Sequence, residues 1–373
     1  MAKYVQINTF PNGSTGAVMR QIAEERTIAG DECWLMWGRG RQANGDHEFN
    51  YGTWLNVYMD ALQTRLDGRA GFHSRRATCR LLKKLDEIQP DVVHLHNLHG
   101  YHINTEMLFD WLAKNDCQVK WTLHDCWAFT GHCAHFTYAK CAQWKTCCAY
   151  DKACPQLNAY PKTISKASCI RNFQDKKDIF TCIPADRMML VAPSHWLADQ
   201  VGQSFLADYP IEVRHNKINT SVFKPTPSNF RERYGIGSRF MILGVASPWT
   251  ERKGLGDFLR LAEELDASCA IVLVGLNSWQ IKKVRAKGVV ALPRINTSED
   301  LAKVYSASDV FFNPTKEDNY PTVNCEAEAC GLPVITYGVG GCAETLARNE
   351  SSCVGGYREA LEALCMLMNR NRH

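Results

Sequence analysis

Between residues 311 and 344 the chain reads FFNPTKEDNYPTVNCEAEACGLPVITYGVGGCAE, an order of residue types that one local architecture satisfies. Val310, Phe311 and Phe312 make an apolar run closed by Asn313 and Pro314. A polar turn follows through Lys316, Glu317, Asp318, Asn319, Tyr320 and Pro321, and then residues 322–330 are compatible with a helix that Gly331 can end in a left-handed conformation. Residues 332–336 read as a second buried strand, ended by Gly338, Gly340 and Gly341. Strand, loop, helix and strand in that order form a βαβ crossover, so the chain is an α/β protein with parallel strands. In such sheets ligands lie outside the carboxyl ends of the strands.

The same alternation recurs along both halves. Strands are predicted at 4–8, 33–38, 90–97, 120–125 and 190–194, and again at 241–245, 270–275 and 288–293. A stretch at 223–227 with Pro225 and Pro227 reads as a linker. The expected division is a first domain over 1–222, with a cysteine-rich insertion at about 126–154, a second over 223–356, and a helix over 357–373 packing back on the first. A chain of 373 residues with 45% hydrophobic content can fill two cores. A formal net charge of +4 gives no basic stripe for nucleic acid. No apolar run reaches membrane-spanning length, and residues 1–7 lack the apolar core of a signal peptide, so a cytoplasmic location is expected.

Within this frame the residues with chemistry stand out. Asp318 lies in the loop before a helix and Glu326 one turn into it, where paired carboxylates can accept from vicinal hydroxyls; an acid there can also merely complement the helix dipole. Gly13 and Gly16 flank Ser14 and Thr15, either of which can cap a helix marked by Val18, Ile22 and Ala29, and the turn suits an anion. His124 stands at a strand's carboxyl end with Asp125 beside it; His94, His96 and His99 read as structural or acceptor-side. Arg65, Arg69, Arg75, Arg76, Arg80, Lys83 and Lys84 are interleaved with Phe72, Leu81, Leu82 and Leu85, either a solvated helix face or a contact for anionic lipid. Seventeen cysteines, an odd number, argue against a full disulfide framework. Six of them, Cys126, Cys133, Cys141, Cys147, Cys148 and Cys154, share a short insertion with His124, His132 and His135; structural zinc, disulfides and unligated thiols all stay open.

The 311–344 stretch resembles the signature of family 4 retaining glycosyltransferases, glycosyl transferases group 1. An acid, seven residues and a glutamate (Asp318 and Glu326) precede Ala327, Ala329, Cys330, Gly331, Pro333, Val334 and Ile335, then Val339, Gly340, Gly341 and Glu344. Asn319, Tyr320 and Pro321 stand where the family has Gly-Phe-Gly, and Glu317 is one residue off the spacing. Strands resembling the family's P-D-V-V-H-x-H and T-x-H-D carry His94, His96 and His124. The cysteine-rich loop resembles a branch found in bacterial exopolysaccharide, colanic-acid-type, biosynthesis.

The resemblance implies a GT-B fold, two Rossmann-like domains facing a central cleft, and transfer of a sugar from a UDP- or GDP-linked donor to a glycan or lipid-linked acceptor. It assigns the donor diphosphate to Arg252, Lys253, Gly13 and Gly16, although Pro248 replaces the family's usual arginine. The donor sugar falls to Asp318, Asn319, Tyr320, Pro321 and Thr322, the ribose and base to Glu326 and Arg294, and catalysis to His124, Asp318 and Glu326. No cofactor is required on this reading, zinc in the loop would be structural, and contact with the inner face of a membrane would be peripheral. A nucleotide-sugar epimerase of similar shape and a non-catalytic sugar-nucleotide-binding subunit remain as alternatives.

Overall fold

The structure, a computed structural model, describes residues 1–370. The chain divides into two units, Met1–His215 and Asn216–His373. The first is built on strands β1 (Lys3–Asn8), β2 (Glu32–Trp37), β3 (Glu48–Asn50), β4 (Val92–Leu95), β5 (Gln118–Thr122), β6 (Met188–Ala192) and β7 (Ile211–Val213). The second uses β8 (Phe240–Val245), β9 (Cys269–Val274), β10 (Val290–Leu292), β11 (Val310–Asn313), β12 (Val334–Tyr337) and β13 (Ser352–Val354). The sheet orders are β3-β2-β1-β4-β5-β6-β7 and β10-β9-β8-β11-β12-β13. All pairings are parallel, with Tyr4 opposite Val92 in the first sheet and Phe311 opposite Val334 in the second.

Parallel sheets of this kind are covered on both faces, so their central strands are apolar throughout. All six residues of β9 are buried, as are all four of β11 and β12. Each sheet reverses its order once, between β1 and β4 and between β8 and β11. At such a reversal the loops leave in opposite directions and open a crevice at the strands' carboxyl ends.

The helix Thr322–Ala329 follows β11 as expected, and Gly331 beyond it has φ of 84°. The terminal helix, Tyr357–Arg370, expected to turn back to the first domain, seats Ala360 and Leu364 in the core of the second unit; residues 371–373 of that call lie outside the described residues. The first helix, Gly13–Ile28, departs from expectation in two ways. Asn12 occupies its N-cap and no side chain caps it, so Ser14 and Thr15 do not. Its buried face is Gly16, Met19, Ile22 and Ala23, so Ile22 is buried as expected while Ala29 lies outside the helix, and Gly16 packs so close to Pro11 that a Cβ would fall 2.6 Å from its carbonyl carbon.

The basic stretch runs from the helix Trp54–Asp67 through the turn that carries Arg69 into the helix Arg75–Ile88. Leu81 and Leu85 are buried, Arg69 pairs with Asp175 at 2.5 Å, and Arg80 donates to the Tyr51 carbonyl at 2.6 and 2.9 Å. Part of that positive charge therefore holds the unit together.

Candidate functional site

In the second unit, the loops that leave β8 and β11 meet at the order reversal. The β8 loop is pinned from below: Trp249 is buried, donates to the Val274 carbonyl at 2.8 Å, and its own carbonyl accepts from Gln280 at 2.9 Å. The loop then turns through Arg252, Lys253 and Gly254 into the helix Leu255–Glu264. Gly254 has φ of 78°, and a Cβ there would lie 2.3 Å from the Pro314 carbonyl oxygen, so only glycine lets the two loops touch. Their contact is reinforced by Lys316 N–H donating to the Arg252 carbonyl (2.7 Å) and by Arg252 donating to the Glu317 carbonyl (2.5 Å). The Lys253 ammonium forms an ion pair with Asp318.

A third loop fixes Asp318 from the other side. The Gly341 N–H donates to the Asp318 carbonyl at 3.1 Å, and Gly340 has φ of 58° with room for no Cβ, which would fall 1.9 Å from that same oxygen. The glycine pair after β12 thus clasps the backbone of the acid. Glu317, one residue earlier, is 1% exposed, whereas Asp318 is half-buried.

Glu326 sits on the helix after β11 and accepts from the Tyr305 hydroxyl at 3.2 Å. Burial raises its carboxyl to about 7, against the lowering effect of that hydrogen bond. Two residues on, Glu328 is structural: it accepts from the Ala347 and Arg348 N–H groups and the Ser351 hydroxyl. Asn324 was not singled out from the sequence. Fully buried, it accepts from Asn313 and donates to Thr345, each at 2.8 Å, tying strand end, helix and glycine turn together.

The remaining expected donor residues are placed as follows. Asn319 is buried, Tyr320 lies 3.9 Å from the Cys325 sulfur, Pro321 occupies the N-cap and Thr322 begins the helix. Arg294 is exposed past the end of β10, two strands from the reversal, and does not join the Lys253–Asp318 group.

In the first unit, His124 follows β5 in a row of stacked imidazoles. Gln6 donates through its amide nitrogen to the Met19 carbonyl (2.8 Å), which leaves its oxygen to accept from His96 Nε2 (2.9 Å). With that proton on Nε2, neutral His96 accepts at Nδ1 from His124 Nε2 at 3.1 Å. Burial holds His124 down at about 4, opposed by Asp125, so near neutral pH it is an uncharged imidazole. His94 is buried between Tyr4 and Thr122, at 2.7 Å from each. Asp125 turns away to His99 Nε2 (2.7 Å) and the Trp127 N–H (2.9 Å). Burial would raise its carboxyl, but His99 and that N–H hold it at about 2. Gly13 is exposed with φ of 76°, and Gly16 is buried against Pro11.

Among the described residues no disulfide is formed by the cysteines of the insertion. All six pack in or against the unit's apolar core, and the thiols of Cys133, Cys148 and Cys154 lie close enough to Cys169 to act on it electrostatically. They gather with Cys169, from the helix Ser168–Phe180, near the buried Lys176. Lys176 donates to the Trp127 (2.7 Å) and Thr130 (3.0 Å) carbonyls, and burial lowers it to about 7. This cluster cements the insertion to the unit's core.

Two doubly wound parallel sheets in one chain, with cations and acids at the second one's reversal, are the GT-B glycosyltransferase fold. Residues 239–369 match the family described as glycosyl transferases group 1, and the second unit carries that domain. The Escherichia coli K12 protein named colanic acid biosynthesis glycosyl transferase WcaC is 27% identical over 260 residues, 66% of this chain and 59% of that protein. D-inositol 3-phosphate glycosyltransferase from Mycobacteroides abscessus is 27% identical over 42% of this chain and 38% of its own length. The chain thus aligns with less than two thirds of either relative. Among solved structures, sucrose-phosphate synthase from Thermosynechococcus elongatus shares the fold with a TM-score of 0.67 at 15% identity, covering 99% of this chain and 89% of that one. HepE from Anabaena, solved in complex with UDP and glucose, gives 0.62 at 14%, covering 100% and 91%.

Proposed function

We propose that this protein is a retaining glycosyltransferase of family 4 that moves a sugar from a UDP- or GDP-linked donor to a glycan or lipid-linked acceptor in polysaccharide biosynthesis. The observation that carries this reading is the Lys253–Asp318 pair beside Arg252 at the strand-order reversal of the second unit. The relatives' names and the UDP and glucose held by the Anabaena neighbour agree with it. Lys253 and Arg252 take the donor diphosphate, Asp318 and the segment from Asn319 to Thr322 take the sugar, and Glu326 takes the ribose. As the bond from the sugar's anomeric carbon to the diphosphate breaks, the two cations stabilise the charge arriving on the leaving phosphate. The acceptor oxygen bonds to the same face of the sugar, and its proton passes to a phosphate oxygen, so no protein nucleophile is needed. His124, uncharged, serves as a hydrogen-bond partner for a sugar hydroxyl rather than as a cation.

The test is a panel of UDP- and GDP-sugars with and without lipid-linked or glycan acceptors, read as nucleotide release and product anomer. One donor should be consumed much faster with acceptor, giving a product of unchanged anomeric configuration. Accumulation of a free epimer without acceptor, or no turnover of any donor, would remove this reading.

A further inference from the structure

Two buried side chains decide where the proton of His124 sits. Gln6, on β1, is 0% exposed and His96, just past β4, is 1% exposed, whereas His124 is only partly buried. The Gln6 amide lies one way round, because its nitrogen donates to the Met19 carbonyl at 2.8 Å and its oxygen then meets His96 Nε2 at 2.9 Å. An oxygen with no proton to give requires that proton on His96 Nε2. Burial pushes the His96 ring well below its ordinary value, so near neutral pH it carries one proton and its Nδ1 is an acceptor. His124 Nε2, 3.1 Å from that Nδ1, must then hold the His124 proton. Packing keeps the rings in this relation: His96 stacks on His124 with centroids 5.3 Å and planes 17° apart, and His94 stacks on His96 at 4.6 Å and 16°. His94 is itself held by Tyr4 and Thr122, and the Trp121 indole N–H donates to the His96 carbonyl at 3.0 Å. A ligand that bonds to the His124 imidazole in its plane therefore does so at Nδ1, which has a lone pair and no proton.

We infer that Gln6 is a positioning residue for sugar transfer: acting through His96, it makes His124 a hydrogen-bond acceptor, and not a donor, toward the donor sugar. The partner is a hydroxyl that gives its proton to Nδ1, and a group that can only accept, such as an ether oxygen or fluorine, is disfavoured at that position of the sugar. Leucine in place of Gln6 offers no oxygen. Nothing then holds the proton on His96 Nε2; once it moves to His96 Nδ1, that atom donates to His124 Nε2 and the His124 proton passes to Nδ1. The choice of a sugar hydroxyl as the partner rests on the sugar-transfer reading, whereas the placement of the protons does not.

Nitrogen NMR of protein labelled in its histidine rings reads the placement near neutral pH, with the His124 signals identified by their loss in His124→Gln. The wild type should show a protonated Nε2 and a bare Nδ1 at both His96 and His124, and Gln6→Leu should give His124 a second form protonated at Nδ1. Kinetics with the donor that the nucleotide-sugar panel selects read the consequence. The ratio of kcat/KM for that donor to kcat/KM for each of its single fluoro-for-hydroxyl analogues is compared between wild type and Gln6→Leu, so that the inductive effect of fluorine cancels. It should fall about fivefold in the variant at one sugar position and stay unchanged at the others. His96→Gln can donate to Gln6 and accept from His124 with the two ends of its amide, and should keep about fivefold more kcat/KM than His96→Leu, which is as long and can do neither. A wild-type His124 protonated at Nδ1, a His124 spectrum indifferent to Gln6→Leu, ratios unchanged at every position, or equal activity of the two His96 variants would each overturn the inference. A wild type that shows the expected spectrum and turns over no donor would instead remove the sugar-transfer reading.

Discussion

Lys253→Ala is expected to lower kcat/KM for sugar transfer by about three orders of magnitude, about 4 kcal/mol of transition-state stabilisation, with most of the loss in kcat. Lys253 and Asp318 are paired with their side chains 26% and 19% exposed, so neither charge is deeply buried and breaking the pair costs stability on the order of 1 kcal/mol or less. Its value lies in what replaces it. A bound diphosphate offers the ammonium more negative charge than one carboxylate does, and Asp318, relieved of its cation, can then accept from sugar hydroxyls. Charge on the leaving phosphate grows as the glycosidic bond breaks, which is why kcat carries the loss. Lys253→Arg keeps the charge with a different shape and should recover part of the rate. Steady-state kinetics check this, and a Lys253→Ala enzyme within threefold of wild type would contradict it.

Glu326→Gln should show a split between stability and function. Burial raises the Glu326 carboxyl to about 7, above its value near 4.5 in an unfolded chain. Below about pH 4 both states are protonated and the carboxyl does not distinguish them. Between pH 4.5 and 7 the unfolded chain releases a proton that the folded chain retains, so stability falls as pH rises, and the full penalty stands above pH 7. Glutamine carries no such penalty. The variant should gain thermal stability over wild type at pH 8, by about 1–3 kcal/mol, and little at pH 4. At the same time it loses the ionised acceptor proposed for the ribose hydroxyls and should bind donor about tenfold more weakly; in the wild type, donor affinity should fall as pH drops through 7. Melting temperatures and donor titrations at the two pH values read both effects. A variant equally destabilised at both would mean that Glu326 is a structural carboxylate, held by hydrogen bonds as Glu328 is.

Much of the second unit was legible in the order of its residues. The β11, helix and β12 unit, Gly331 at the helix end and the Arg252-Lys253-Gly254 turn follow from apolar periodicity and glycine placement, and the structure repeats them. What was illegible depends on distant neighbours. Gly340 reads as a turn residue, and only the fold shows that its lack of a side chain admits the Asp318 carbonyl. Asn324 looks like any polar residue in a short helix until Asn313 and Thr345 are brought to it. Glu326 and Glu328 are two residues apart and alike in sequence, yet only Glu328 is taken up by backbone N–H groups. Cys169 lies outside the cysteine-rich insertion that it joins. In the helix Trp54–Asp67 apolar periodicity and burial disagree outright, because the pattern reports on a surface the folded unit leaves open.

Crystals of the full chain soaked with the donor that the nucleotide-sugar panel selects test the central claim most directly. The account predicts the diphosphate within hydrogen-bonding distance of Lys253 and Arg252, the sugar hydroxyls on Asp318 and the ribose on Glu326. A donor bound elsewhere on the chain, with the Lys253–Asp318 pair intact and untouched, would contradict it.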